Sequence, residues 1–318
     1  WIDGTDRPAD DGRTLAVEDP ATGEVLTHVA AASEADVSTA VSVAESAGEE
    51  WAARIPKERT RTLLAIAETI RENAERLARI ETLENGKPLS EARGQVRRCA
   101  RHFEYYAGEA DKIEGDSIPL GDGYVDYTVH EPLGVTAHIV PWNVPIYLFA
   151  RSVAPALAVG NAVVVKPAEE TPIGALTVAR LAEEAGLPPG VLNVVPGDGV
   201  EAGAALTSHP NIDCVTFTGS EATGREVATA AVSNINEVHL ELGGKSPLLV
   251  FPDADLDRAV EETVRGIFTN AGQVCSASSR VLVHEDAHDE YVDLLVEAVE
   301  ELSVGPGVDD ADIGPLVS

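Results

Sequence analysis

Between Gly134 and Phe251 the chain returns repeatedly to a short apolar run, and most of the gaps are the length of a helix. The runs are Gly134–Val140, Ala162–Lys166, Val191–Val195, Cys214–Phe217, Val238–Leu242 and Pro247–Phe251. Helical patterning fills Ile173–Glu184, Ala202–Ser208, Gly224–Val232 and Asp255–Asn270. A strand buried on both faces reads as a continuous apolar run, and a parallel neighbour needs a crossover long enough for a helix. The alternation therefore predicts an α/β fold with a parallel sheet covered on both faces. Such sheets hold ligands at the carboxyl ends of their strands, so the residues just after each run are the ones to inspect.

The first part of the chain has a different rhythm. Residues 1–31 hold turn signals (Asp3-Gly4, Asp11-Gly12, Asp19-Pro20, Thr22-Gly23) between short apolar pieces such as Glu24–Val29, which predicts strands and loops. Three long helices should follow. The first opens at the capping-box-like Ser33-Glu34-Ala35-Asp36 and runs to about Ala53. The second covers Lys57–Leu83, with Leu63, Ile66, Ala67, Ile70, Leu77 and Ile80 on one face, and ends at Asn85-Gly86-Lys87-Pro88. The third spans Ser90–Ala110. Across 115–132, Gly121-Asp122-Gly123 separates β-prone pieces, and Tyr124–Val129 reads as one arm of a hairpin.

Composition narrows the function classes. A length of 318 residues allows two domains, and 44% hydrophobic residues supply a sizeable core. With 54 Asp plus Glu against 23 Lys plus Arg, the formal charge of −31 argues against nucleic-acid or anionic-membrane partners, because phosphate neutralisation needs a basic face. Lysine is scarce among the cations, at 57, 87, 112, 166 and 245, a surface composition expected of a salt-adapted, cytoplasmic protein. No apolar run reaches the ~18–20 residues of a membrane span, and no basic-then-apolar leader opens the chain. Cys99, Cys214 and Cys275 are widely spaced and lack CxxC or HExxH partners, so neither a disulfide framework nor a metal site is expected. Residue 1 is Trp, Met is absent and the chain stops at Gly314-Pro315-Leu316-Val317-Ser318, so the sequence is expected to be incomplete.

Four stretches join reactive residues to glycine or proline near strand ends. In Phe268–Ser276 a single cysteine, Cys275, follows a Gly-Gln turn. Cysteine is a strong nucleophile only as thiolate and needs a base or positive potential beside it, although a lone Cys also suits a small buried position. In Val238–Pro247, Glu241 ends an apolar strand before Gly243 and Gly244. Burial there would let it accept a proton near neutral pH, and exposure above a tight turn is the plainer alternative. In Val140–Pro145 two prolines bracket Asn143, whose amide could donate to a developing oxyanion or simply sit in a Pro-rich turn. Lastly, Lys166 precedes Glu169 by three residues at a strand end, and Gly219-Ser220 leads into a helix whose N-terminus suits a phosphate. The last pattern is not the GxGxxG fingerprint.

Together these stretches resemble the aldehyde dehydrogenase superfamily, in order and separation: Pro-Trp-Asn at 141–143, Lys-Pro-Ala-Glu at 166–169, Phe-Thr-Gly-Ser at 217–220, Glu-Leu-Gly-Gly-Lys at 241–245 and Gly-Gln-Val-Cys at 272–275. The resemblance implies that Cys275 attacks an aldehyde carbonyl to form a thiohemiacetal, with Asn143 and the Cys275 N–H as the oxyanion hole. Hydride loss to NAD then leaves a thioester, and Glu241 serves as base for Cys275, for the hydrolytic water, or for both. It also implies that Lys166 and Glu169 hold the adenine ribose. NAD is then expected over NADP, which remains a possible second cofactor, because a carboxylate repels a 2′-phosphate. Gly219 and Ser220 would contact the pyrophosphate, Gly224 would permit close packing behind it, and Trp142, Leu242 and Gly243 would border the nicotinamide.

The implied architecture is a Rossmann-like NAD-binding domain (1–114 and 133–242), an oligomerisation hairpin (115–132) and the first part of an α/β catalytic domain (243–318). Full-length members are expected as homodimers or homotetramers. Arg151-Ser152 replaces the Trp-Lys common in the family, so the usual lysine partner of the base is missing and the substrate tunnel is altered. An acylating, coenzyme A-dependent member and a Cys–Glu–Lys amidohydrolase are the competing enzymatic readings, and a non-catalytic scaffold is the third.

Overall fold

The computed structural model describes residues 1–318. An antiparallel pair, β1 (Thr14–Glu18) and β2 (Val25–Ala30), precedes four helices: α1 (Glu34–Ala53), α2 (Pro56–Glu72), α3 (Ala74–Asn85) and α4 (Leu89–Glu109). The capping box forms as expected. Ser33 Oγ accepts from the Asp36 N–H, and the Asp36 carboxylate accepts from the Ser33 N–H at 2.9 Å. The single helix expected over Lys57–Leu83 is instead two. Asn73 sits between them at φ −100°, ψ 13°, and its side chain donates to the Thr69 carbonyl at 2.9 Å, in competition with the backbone ladder. The apolar face survives the break, since Leu63, Ile66, Ile70 and Leu77 are all fully buried.

A small hairpin, β3 (Ser117–Ile118) and β4 (Asp126–Tyr127), then leads to the main sheet. Its elements are β5 (Val135–Val140), α5 (Pro145–Ala158), β6 (Ala162–Pro167), α6 (Pro172–Glu184), β7 (Leu192–Val194), α7 (Ala204–Ser208), β8 (Cys214–Gly219), α8 (Glu221–Val232) and β9 (Glu237–Leu242). The five strands are all parallel in the order β7-β6-β5-β8-β9. The chain steps outward from β5 through β6 to β7, then crosses back to place β8 on the other side of β5. The β5/β8 junction is therefore a topological switch point, where a crevice opens above the carboxyl ends.

Alternate strand residues feed two cores. Val163 and Val165 of β6 join α2, α4, α5 and α6 in one cluster, while Ala162 and Val164 join α1, α7 and α8 in the other. The fold is thus the expected Rossmann-like α/β arrangement. Burial without an acidic partner pulls the His138 imidazole in β5 down to a pKa of about 3, so it is a neutral core residue bonded to Thr136 Oγ1 at 2.9 Å.

The remaining residues form a smaller parallel pair, β10 (Pro247–Val250) with β11 (Arg280–Val283), covered by α9 (Leu256–Phe268) and α10 (His288–Glu300). They have their own core around Val250, Val260 and Tyr291. The helix expected to reach Asn270 stops at Phe268, because Asn270, Ala271 and Gly272 all have positive φ (51°, 53° and 78°).

Candidate active site

All the sequence-predicted site residues but Gly224, which lies in the first turn of α8, sit at a carboxyl end of the main sheet or on the loop facing it. Lys166 lies near the end of β6 with Glu169 just after it, Trp142 and Asn143 follow β5, Gly219 ends β8 before Ser220, and Glu241 and Leu242 end β9 before Gly243. Cys275 comes from the turn after α9. A cleft of about 610 Å³ brings Trp142, Asn143, Gly219, Ser220, Glu241, Leu242, Gly243 and Cys275 together. Lys166, Glu169 and Gly224 stand outside its walls.

The three cysteines separate by environment. Cys99 and Cys214 are buried, and desolvation pushes both thiols up, Cys214 to about 11. Cys275 alone is exposed, and its N–H makes no hydrogen bond within the chain. The left-handed run at 270–272 delivers it. A non-glycine residue in that region costs roughly 1–2 kcal/mol, and Ala271 has no side-chain means of offsetting it. Asn270 anchors the run: its N–H donates to the Glu91 carboxylate at 3.0 Å and its side-chain amide to the Asn143 carbonyl at 2.8 Å.

Asn143 is held from both ends. Its Nδ2 donates to the Gln273 carbonyl at 2.9 Å, which orients the amide and leaves its second N–H free. Its own carbonyl accepts from Asn270, from Lys87 Nζ at 3.0 Å and from Asn85 Nδ2 at 3.3 Å. Lys87 is fully buried with Glu81 as its ion-pair partner. The sequence reading took Asn85-Gly86-Lys87-Pro88 as a helix stop and no more. The one signal present was a lysine placed directly after a glycine C-cap, and local patterning gives that lysine no destination.

Of the two readings of Glu241, the exposed one holds: its side chain is 54% exposed, and Arg151 Nη2 holds its Oε1 at 2.8 Å. The cation beside Glu241 is thus a guanidinium from α5. Across the crevice, Lys166 and Glu169 pair at 3.0 Å with the lysine side chain only 4% exposed. Ser220 caps α8 by accepting from the Thr223 N–H at 3.1 Å, and the N–H groups of Glu221 and Ala222 make no hydrogen bond, while Ser220 and Glu221 line the cleft. A Cβ on Gly224 would stand 2.7 Å from Leu242 Cδ2, and one on Gly219 2.5 Å from the Phe217 ring, so neither position has room for a side chain. This cradle and the acidic–basic pair at the end of β6, on the far side of β5, fit a dinucleotide.

The family model for the aldehyde dehydrogenase family matches residues 7–318. The chain belongs to the aldehyde dehydrogenase family. Hydroxyisobutyraldehyde dehydrogenase of Mycolicibacterium austroafricanum is 48% identical over 319 residues, covering 100% of this chain and 63% of that protein. Retinal dehydrogenase 2 of Homo sapiens is 45% identical over 315 residues, covering 97% and 61%. Among solved structures, PnpE in complex with nicotinamide adenine dinucleotide superposes with a TM-score of 0.99 at 42% identity, covering all of this chain and 66% of that one. The chain thus spans less than two thirds of the length of the curated relatives it matches.

Proposed function

We infer that this chain is the cofactor-binding and nucleophile-bearing part of an enzyme that oxidises an aldehyde to a carboxylic acid. The observation that carries the reading is the meeting of an exposed cysteine, a glutamate and a doubly anchored asparagine in one cleft at the switch point of a parallel sheet. Residues 1–114 and 133–242 are assigned to nucleotide binding and 243–318 to the start of the catalytic domain. The hairpin at 115–132, with Tyr124 and Val125 73% and 90% exposed, is assigned to assembly with a second copy.

Glu241, open to solvent, takes the Cys275 proton and passes it to water as Sγ attacks the carbonyl carbon, and the oxygen gains charge facing the free Asn143 N–H and the Cys275 N–H. Those donors are fixed beforehand, so no reorganisation is needed as charge develops. When bound, NAD supplies the hydride acceptor. Lys166 and Glu169 are the residues placed to hold its ribose, and the α8 N-terminus and Gly219 are placed to receive its diphosphate. Glu169 favours NAD, because a 2′-phosphate beside that carboxylate is repelled. The thioester left on Cys275 is released by water, from which Glu241 takes a proton. Arg151 fixes one oxygen of Glu241 and leaves the other to the water.

The test is NADH formation by the full-length protein with aliphatic and aromatic aldehydes at high and low KCl, with and without coenzyme A. Oxidation independent of coenzyme A and lost in Cys275→Ser supports the reading. Dependence on coenzyme A assigns the chain to acyl transfer, and amide hydrolysis without NAD binding overturns the reading altogether.

A further inference from the structure

The side of α4 that meets α5 is basic and aromatic in an otherwise acidic chain. Arg98 and Arg101, one turn apart, join His102, Tyr105, Tyr106 and Tyr147 around a hollow of about 330 Å³. No carboxylate lines it, although the chain has 54 against 23 cations. Arg98 enters no ion pair or hydrogen bond, whereas Arg101 is held by Glu104 at 3.1 Å. The rings brace one another: His102 stacks on Tyr106 at 6.2 Å and meets Tyr147 at 5.1 Å, and Tyr105 lies edge-on to Tyr106 at 5.1 Å. Partial burial, then the charge of Arg151, lowers the His102 pKa from its ordinary value, so His102 adds a neutral ring and no cation.

Helix α5 contributes to both the hollow and the Cys275 cleft. Tyr147 lines the hollow while its neighbour Leu148 lines the cleft. Arg151, one turn further along α5, is close to His102 on one side and bonds Glu241 on the other. A chain of −31 charge repels anions at long range, so an unpaired guanidinium beside free phenol donors is a local exception. Guanidinium with hydroxyl donors is the complement of a carboxylate.

We propose that this hollow anchors a carboxylate at the far end of the substrate, so that the aldehyde oxidised is itself an anion: a dicarboxylic semialdehyde or a carboxylated aromatic aldehyde. The proposal rests on Cys275 being the nucleophile. It is tested in the full-length protein by comparing kcat/KM for 4-carboxybenzaldehyde with 4-methylbenzaldehyde, and for succinic semialdehyde with butanal. The carboxylates are preferred, and Arg98→Gln with Arg101→Gln lowers that preference roughly 10- to 100-fold, the range for loss of a charge-assisted contact. A wild-type preference for the neutral aldehydes, or an equal fall for both members of each pair, overturns the proposal. Calorimetry on Cys275→Ser protein gives a readout free of turnover. Terephthalate binds more tightly than benzoate, and the arginine substitutions erase the difference. That binding difference without NADH from any aldehyde would overturn the assignment of Cys275 and leave the anchor standing.

Discussion

Lys87→Met probes the least exposed part of the site. Lys87 and Glu81 have fully buried side chains, and Glu81 Oε2 has no partner even with the lysine present. Removing the ammonium leaves a carboxylate in the core with nothing to offset its desolvation, which typically costs about 3–5 kcal/mol. At about 2–4 °C per kcal/mol for a domain of this size, the melting temperature of the full-length protein should fall by about 6–20 °C. Glu81→Gln combined with Lys87→Met removes the charge along with its partner and should recover at least half of that loss.

The pH dependence has a definite sign. Burial pushes the Glu81 carboxyl above its ordinary value, against the opposing pull of Lys87. A carboxyl whose folded pKa is raised binds its proton more tightly folded than unfolded. The stability it confers is therefore present at low pH and lost as pH rises above the ordinary carboxylate range toward the folded value. Melts of Lys87→Met between pH 5 and 7 should lose up to about 1.4 kcal/mol per pH unit relative to the double variant, which has no Glu81 to titrate. A single variant as stable as wild type, or a double variant no better than the single, would refute the claim that an uncompensated charge is the cause.

Four further outcomes test the site. Cys275→Ser should abolish aldehyde oxidation while leaving NAD affinity by calorimetry nearly intact, and a residual rate above about one part in a thousand would argue against covalent catalysis. Asn143→Ala removes an oxyanion donor and should lower kcat by roughly 10²–10³, with a much smaller effect on NAD binding. Gly224→Ala drives a methyl into Leu242; overpacking of about 1–3 kcal/mol exceeds the roughly 1 kcal/mol gained in helix propensity, so both the melting temperature and NAD affinity should drop. Glu169→Gln removes the carboxylate facing a 2′-phosphate and should raise the NADP-to-NAD ratio of kcat/KM roughly tenfold or more.

Much of this arrangement was legible before the structure. The inner strands of the main sheet, β5, β6 and β8, are largely apolar because both faces are covered, and their ends mark where ligand residues are to be sought. Local chemistry hid other elements. Pro145 at the first helical position and Pro155 within the helix obscured α5, and Asn73 divided a helix whose apolar periodicity ran straight on. For Glu241 the sequence left burial and exposure both open, and the exposed alternative holds because its strand, β9, is the edge of the sheet and half open to solvent. The tie from Lys87 to Asn143 spans 56 residues, and no window of sequence carries that information.

What the sequence could not show also explains how the site holds its shape. The Asn143 carbonyl gathers three donors from two loops, while the Asn143 side chain reaches into the nucleophile turn through Gln273. The loop bearing the oxyanion donor and the loop bearing the thiol therefore fix each other, and both are tied to a buried ion pair at the end of α3. Left-handed backbone at Ala271 persists only where its surroundings over-determine it, and Asn270, bonded to Glu91 on one side and Asn143 on the other, supplies that constraint. The turn that carries Cys275 is thus held largely by side chains and carbonyls distant in sequence, at Lys87, Glu91 and Asn143. Glu241, paired with Arg151 at an exposed strand end, stands outside that network and is tied to neither loop.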